Sequence, residues 1–340
     1  LTEENTLEFI GRMPKVELHL HLEGTIQPTT AIELMHRHQA VNAPQTVTEL
    51  LNLYNFQDLT HFVQAMKIVS NHITTLEDLH RICGEMLVEL VRQNVKYIEF
   101  DCALQKYVDL GWPLLDVITV LEKAVQEAQA CYGIMAGLVV NLQRSHGAEK
   151  TAHLVEAVCK LAHPFIRGIG LSGDETKYPQ REFTRAFAIA REAGLHRTVH
   201  AGEAMGSQSV WDALSLLHAE RIDHGTRSIE DPKLVRHLIE KQIPLTQCLT
   251  SNKRLNIVAE VSQHPFQLFF RSGVLVTLNT DDPQIFQSSL TDEYQLAFQT
   301  FSLSHDELRR IVLNGVRACF LSPVGKEQLL LEFSKVEKNE

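Results

Sequence analysis

Short apolar runs bounded by turn residues alternate along this chain with longer stretches of helix-like periodicity. Eight runs read as strands: residues 16–22, 96–101, 135–140, 166–171, 197–200, 221–224, 244–249 and 274–280. In the first, Leu18, Leu20 and Leu22 occupy one face of a period-2 pattern, while Glu17, His19, His21 and Glu23 occupy the other. Helical spacing follows over 113–132, 149–162, 180–193, 207–217, 231–241 and 261–272, with Gly194 and Gly273 as stop signals before the next strand. Strands that alternate with helices predict a parallel sheet. Closed on itself, that sheet is an α/β fold of the (β/α)8 TIM-barrel type. The rival is an open doubly wound sheet, whose GxGxxG fingerprint is missing after the first strand: Gly24 is followed by Thr25 and Ile26.

Two features exceed a plain barrel. About 70 residues separate strands one and two, far more than one crossover needs. The insertion, 25–95, holds several helical stretches, including 56–69, where Phe56, Leu59, Phe62 and Met66 recur at helical spacing. It is expected to form a lid over the barrel mouth. Two further helices, 304–321 and 326–338, are expected to pack outside the barrel, so that 1–340 forms a single domain.

With 340 residues, 44% of them hydrophobic, the chain can bury a large core. A net charge of −10 disfavours nucleic acid, where affinity rests on Lys and Arg neutralising phosphates. Six cysteines without CxxC spacing read mostly as small buried residues of a reducing, cytoplasmic protein. No leader-like segment and no apolar run of about 18 residues is seen, so neither secretion nor a membrane span is expected. Oligomeric state is not legible.

The active face of such a barrel lies at the C-terminal ends of its strands. Polar groups gather at those ends: His19 and His21; Gly173, Asp174 and Glu175 in "LSGDE"; His200 and Glu203 in "TVHAGE"; His224 in "IDHG"; Asp281 and Asp282 in "LNTDDP". If the leucines face the outer helices, His19 and His21 point inward and need a partner. One divalent metal, with His200 and Asp281 completing its shell, supplies it. Zinc suits three imidazoles and a carboxylate, and a catalytic zinc yields hydroxide near neutral pH. Strand four, "IRGIGLSG", has no Lys to bridge two ions, which favours one Zn2+ per chain. His36, His38, His61, His72 and His80 read as surface residues.

The stretches "PKVELHLHLEGT", "GIGLSGDE", "HRTVHAGE", "RIDHGT" and "LNTDDP" resemble, in order and interval, the adenosine deaminase family of the amidohydrolase superfamily. The resemblance spans about residues 13 to 335 and implies hydrolytic loss of ammonia from C6 of a purine. It implies His19, His21, His200 and Asp281 as zinc ligands. Glu203 would protonate N1, His224 would orient the attacking water and stabilise developing charge, Asp282 would hydrogen-bond that water, and Gly173 would offer its N–H to N3. Independently, attack on C6 destroys aromaticity and demands a proton at N1, which a buried carboxylic acid can give. A helix such as 56–69 covers the substrate in the family, its apolar side chains lining the pocket.

The substrate clues conflict. Glu23 stands where adenosine deaminases usually carry an Asp that contacts the ribose, and adenine deaminases often carry Glu there. Gly173-Asp174-Glu175 keeps the nucleoside-type pattern. Given more weight, that motif makes adenosine and deoxyadenosine the expected substrates. The alternatives are adenine, aminodeoxyfutalosine or N6-methyl-AMP, and, in another class, a catalytically silent purine-binding protein. A phosphate would need a cation at the mouth, for which Lys106, Arg144 and Lys177 are available. "YIEFDCALQKY", 97–107, departs from the family's usual strand two.

Overall fold

A computed structural model describes residues 3–40, 43–56 and 59–337. Eight parallel strands pair in chain order: β1 (Lys15–Glu17), β2 (Val95–Cys102), β3 (Met135–Gln143), β4 (Ile166–Ser172), β5 (His196–Ala201), β6 (Arg221–His224), β7 (Leu245–Gln247) and β8 (Val276–Leu278). Helices surround them, so the expected (β/α)8 barrel is the fold observed. Its seam is closed by the extensions of β1 and β8. Asp281 N donates to His19 O and His21 N donates to Asp281 O, both at 2.9 Å. Beneath them the Glu17 carboxylate accepts from Thr280 N at 3.2 Å and Thr280 Oγ1 at 2.9 Å.

The first strand is shorter than its pattern predicts. Regular pairing stops at Glu17, because Leu18 N donates to the Asn279 side chain (3.0 Å) and His19 N to Glu17 Oε1 (3.2 Å). Side chains have replaced the ladder, yet the alternation survives: Leu18, Leu20 and Leu22 are buried in the apolar layer while His19 and His21 face inward. The seventh strand also ends early, as Leu249–Arg254 coils into a helix. The helix expected over 261–272 is split into a short 3-10 turn and Phe266–Ser272 at Pro265, which has no N–H to donate.

Between β1 and β2 lie helices Pro28–Arg37, Val47–Leu53, Leu59–Ser70 and Leu76–Arg92. The last packs along Leu114–Tyr132 and β2, as an ordinary member of the outer ring. Leu59–Ser70 instead rests on the turn Leu22–Thr25, directly after the histidine pair. Phe56 precedes this helix rather than belonging to it, and the Leu59 side chain lies outside the described residues. At the C-terminus, His305–Ala318 packs on β8 and β1, and Pro323–Glu337 on that helix and β2, outside the barrel as expected. All six cysteines are free, four of them buried. Among the described residues no helix is long and apolar enough to cross a membrane.

Candidate metal centre and active site

Four side chains from three parts of the barrel converge at its mouth. His19 Nε2 lies 3.1 Å from His200 Nε2, and His21 Nε2 lies 3.3 Å from the same atom. Asp281 Oδ1 is 3.5 Å from His19 Nε2 and 3.3 Å from His21 Nε2. Ligands about 2.1 Å from a tetrahedral zinc stand about 3.4 Å from one another, which matches these four separations, and a second metal-sized group gathers His21 with Asp281 and Asp282.

The surroundings orient these rings for that task. Thr246 Oγ1 donates to Asp223 Oδ1 (2.9 Å), so it accepts from His19 Nδ1–H (3.0 Å). His200 Nδ1 faces the other oxygen of Asp223 at 3.4 Å. Protons on Nδ1 leave both Nε2 lone pairs facing the centre, where two acceptors 3.1 Å apart repel unless a cation lies between them. Electrostatics agree. Burial opposes charge on His19 and His21, yet the nearby carboxylates of Asp223, Asp281, Asp282 and Asp101 raise both pKa values. A pocket that favours imidazolium favours a metal cation. Burial holds His200 at about 4, hence neutral. Asp281 stays well below the usual carboxyl range: burial pushes it up, but hydrogen bonds from His19 and His21 and the charge of His19 and His224 outweigh that. Ser251 Oγ donates to its other oxygen at 2.6 Å.

Beside this centre lie the three groups singled out for proton transfer. Glu203 Oε1 has no hydrogen-bond partner and sits 3.5 Å from His224 Nε2. Burial, then Asp281 and Glu175, raise its pKa well above the usual range, so the acid stays protonated. Asp282 Oδ1 is likewise buried without a partner, and burial and Asp281 raise its pKa. Gly24 is required beside it, since a β-carbon there would lie 2.0 Å from Asp282 Oδ1. His224 Nε2 is also 3.9 Å from Asp281 Oδ2, close enough to enter a metal-sized cluster with His19, His200 and Asp281. Gly173 sits exposed at the rim with φ of 100°, a conformation that favours glycine.

The loop carrying Glu203 is held by a residue whose role sequence reasoning missed. Glu175 accepts from Gly202 N (3.2 Å), Glu203 N (2.9 Å), Met205 N (2.8 Å) and the Ser209 hydroxyl. Asp223, Thr246 and Ser251 were missed too. Only Glu175 and Asp223 carry a signal, as acids inside "GDE" and "IDH" at strand ends. At the mouth, Phe62 stacks on Phe286 with centroids 5.2 Å apart, and Phe56 meets both rings edge-on. Met66 is half-buried on the same helix. Glu23 is turned into the wall, where Oε1 accepts from Ala103 N (3.1 Å) and Tyr107 O–H (3.3 Å). The three cations considered for a phosphate are engaged. Lys106 donates to Ser70 O, Arg144 to the carbonyls of Tyr178 and His200 (2.7 Å each), and Lys177 pairs with Asp174 (3.1 Å).

A profile of the family described as adenosine deaminase matches residues 14–336. The chain belongs to the adenosine deaminase family. Over 326 residues it is 35% identical to the aminodeoxyfutalosine deaminase of Streptomyces avermitilis, an alignment covering 95% of this chain and 91% of that one. The adenine deaminase of Arthrobacter aurescens shares its fold with a TM-score of 0.91 at 30% identity, over 96% of this chain and 99% of that one. An amidohydrolase of Burkholderia ambifaria, solved with bound zinc, gives a TM-score of 0.90 at 25% identity, over 98% and 94% of the two chains. The protein is therefore a hydrolase of amidine C–N bonds and a deaminase of a 6-aminopurine. The expectation of adenosine itself gives way. These relatives are named for aminodeoxyfutalosine and adenine, and the alternative of another 6-aminopurine fits better.

Proposed function

We propose that this enzyme removes ammonia hydrolytically from a 6-aminopurine that carries no phosphate, with adenine and aminodeoxyfutalosine ahead of adenosine as substrates. The observation that carries the proposal is the convergence of His19, His21, His200 and Asp281 beside the protonated Glu203. Those four side chains would hold one zinc ion per chain. Such an ion supplies hydroxide near neutral pH.

The chain's own groups do the rest. Glu203 gives its proton to N1 as C6 is attacked, so charge does not build up on the ring. His224 Nε2–H stabilises the negative charge on the oxygen that joins C6. Asp282, whose Oδ1 is buried beside the site without a partner in the protein, takes one proton of the attacking water and passes it to the departing amine. The C6–N bond breaks, ammonia leaves, the remaining hydroxyl proton departs as Glu203 is reprotonated, and a 6-oxopurine remains. Gly173 offers its N–H to N3. Phe56, Phe62 and Met66 cover the mouth as part of the lid, which excludes water.

Two observations support this substrate class. Glu23 has one carboxylate oxygen committed to Ala103 and Tyr107, which favours adenine, a base with no ribose to hold. Lys106, Arg144 and Lys177 are engaged within the protein, which disfavours a monophosphate such as N6-methyl-AMP. The test is a substrate panel of adenine, aminodeoxyfutalosine, adenosine and N6-methyl-AMP, followed by the ultraviolet change on loss of the amine. Turnover of adenine or aminodeoxyfutalosine above adenosine is expected. N6-methyl-AMP as the best substrate would overturn the phosphate-free reading, and silence on all four would overturn the deaminase reading of the site.

A further inference from the structure

His224 is tied to the protein interior by a chain of hydrogen bonds that plays no part in the mechanism above. Phe266 N donates to His264 Nδ1 at 3.1 Å. His264 Nε2 is 2.9 Å from Asn252 Oδ1, and Asn252 Nδ2 is 3.2 Å from His224 Nδ1. Thr226 Oγ1 donates to the same Asn252 oxygen at 2.8 Å. His264, Asn252 and His224 are each at most 3% exposed, so water cannot repair a mismatch.

The direction of this chain is set at its far end. A backbone N–H can only donate, so His264 Nδ1 must accept. Burial holds His264 down at about 3, so it is neutral and its single ring proton sits on Nε2. That proton needs an acceptor, which orients Asn252 with its oxygen toward His264 and its amide N–H toward His224. His224 Nδ1 must then accept in turn. Reversing Asn252 would set its NH2 group against the His264 N–H, a donor facing a donor.

Building on the deaminase reading, we propose that Asn252 and His264 lock the tautomer of His224, keeping its proton on Nε2. The lock does two things. It makes His224 a hydrogen-bond donor to the oxygen attacking C6. It also removes the lone pair with which His224 could compete as a metal ligand, although its ring lies among His19, His200 and Asp281. Asn252 and His264 are thus positioning residues, acting through His224.

Two experiments decide it. The first uses the full-length, zinc-loaded protein with 15N-labelled histidine, with His224 and His264 assigned by loss of their signals in His224→Gln and His264→Gln. Long-range 15N–1H correlation is expected to show both rings neutral with the proton on Nε2. A proton on Nδ1 of His224 overturns the proposal, and this spectrum requires no activity. The second uses Asn252→Asp, which has the same shape but can only accept, so a neutral His224 must carry its proton on Nδ1, and the same spectrum reads its protonation. Loss of one such donor costs about 10²–10³-fold in kcat, with KM and zinc content near wild type. His264→Ala is expected to lower kcat less, with partial recovery in His264→Gln, whose amide can still donate to Asn252. Wild-type kcat in Asn252→Asp with His224 neutral overturns the lock. Should that variant not fold, the wild-type spectrum still decides. If the wild-type enzyme turns over no 6-aminopurine, the deaminase reading falls while the tautomer readout stands.

Discussion

Glu203 and Asp281 are buried carboxyls in one site, and their surroundings drive them in opposite directions. Glu203 has burial and two neighbouring acids against its charge, so its pKa rises. Asp281 meets the same burial but has His19 and His21 in hydrogen-bond reach, so its pKa falls. That split separates the proton donor from the ligand. An acid with a raised pKa stays protonated through neutral pH, so kcat should hold there and fall as pH rises through the Glu203 pKa. Steady-state rates across the alkaline range test this. Glu203→Gln should lose about 10²–10⁴-fold in kcat, keep purine affinity by calorimetry, and flatten that alkaline fall. Gly24→Ala places a methyl group 2.0 Å from Asp282 Oδ1, so Asp282 must move. The expected result is a loss of about 10²-fold in kcat from misplaced chemistry, with far-ultraviolet circular dichroism unchanged.

Elements deliver these residues through two departures from regular geometry. His224, the last residue of β6, and Asp281, just beyond β8, have φ of 60° and 64°, the left-handed region that residues other than glycine rarely adopt. Each such residue costs about 1–3 kcal/mol, and each breaks the period-2 alternation of its strand. As a result Asp223 and His224, and likewise Asp281 and Asp282, both reach the site although they are adjacent in the chain. The β5 loop depends on Glu175, whose carboxylate collects three backbone amides. Glu175→Gln turns an NH2 group toward at least one of those donors. A loss of about 1–3 kcal/mol in urea unfolding is expected, together with lower kcat as Glu203 loses its position. Phe56 and Phe62 both pack on Phe286, four residues beyond Asp282. Phe62→Ala removes the stacked pair, worth about 0.5–1.5 kcal/mol beyond burial, so KM should rise several-fold with kcat little changed.

At the scale of the molecule, the proposed metal site joins β1, β5 and β8 where the barrel seam is weakest. The seam there is closed by a single bridge and side-chain bonds, while Asp101, Asp223, Asp281 and Asp282 crowd around it. A cation both neutralises that charge and crosslinks the strands. Chelation should abolish activity and lower Tm, with zinc restoring both; binding at about 100-fold over Kd contributes about 2.7 kcal/mol to stability. An unchanged Tm and rate after chelation would contradict the metal centre. The alternation of apolar runs determined the barrel and its strand order, because strand and helix periods are local properties of a chain. The HxH pair and the acids at strand ends marked the residues facing the mouth, because period-2 geometry sends them there. Tertiary structure alone decided where β1 stops, that Phe56 lies outside its helix, and which partners fix each ring: Thr246 for His19, Asp223 for His200, and Asn252 with His264 for His224. Those partners lie tens to hundreds of residues away in sequence from the rings they orient, and no local pattern records which distant hydroxyl, amide or carboxylate closure of the barrel will bring to 2.9–3.4 Å.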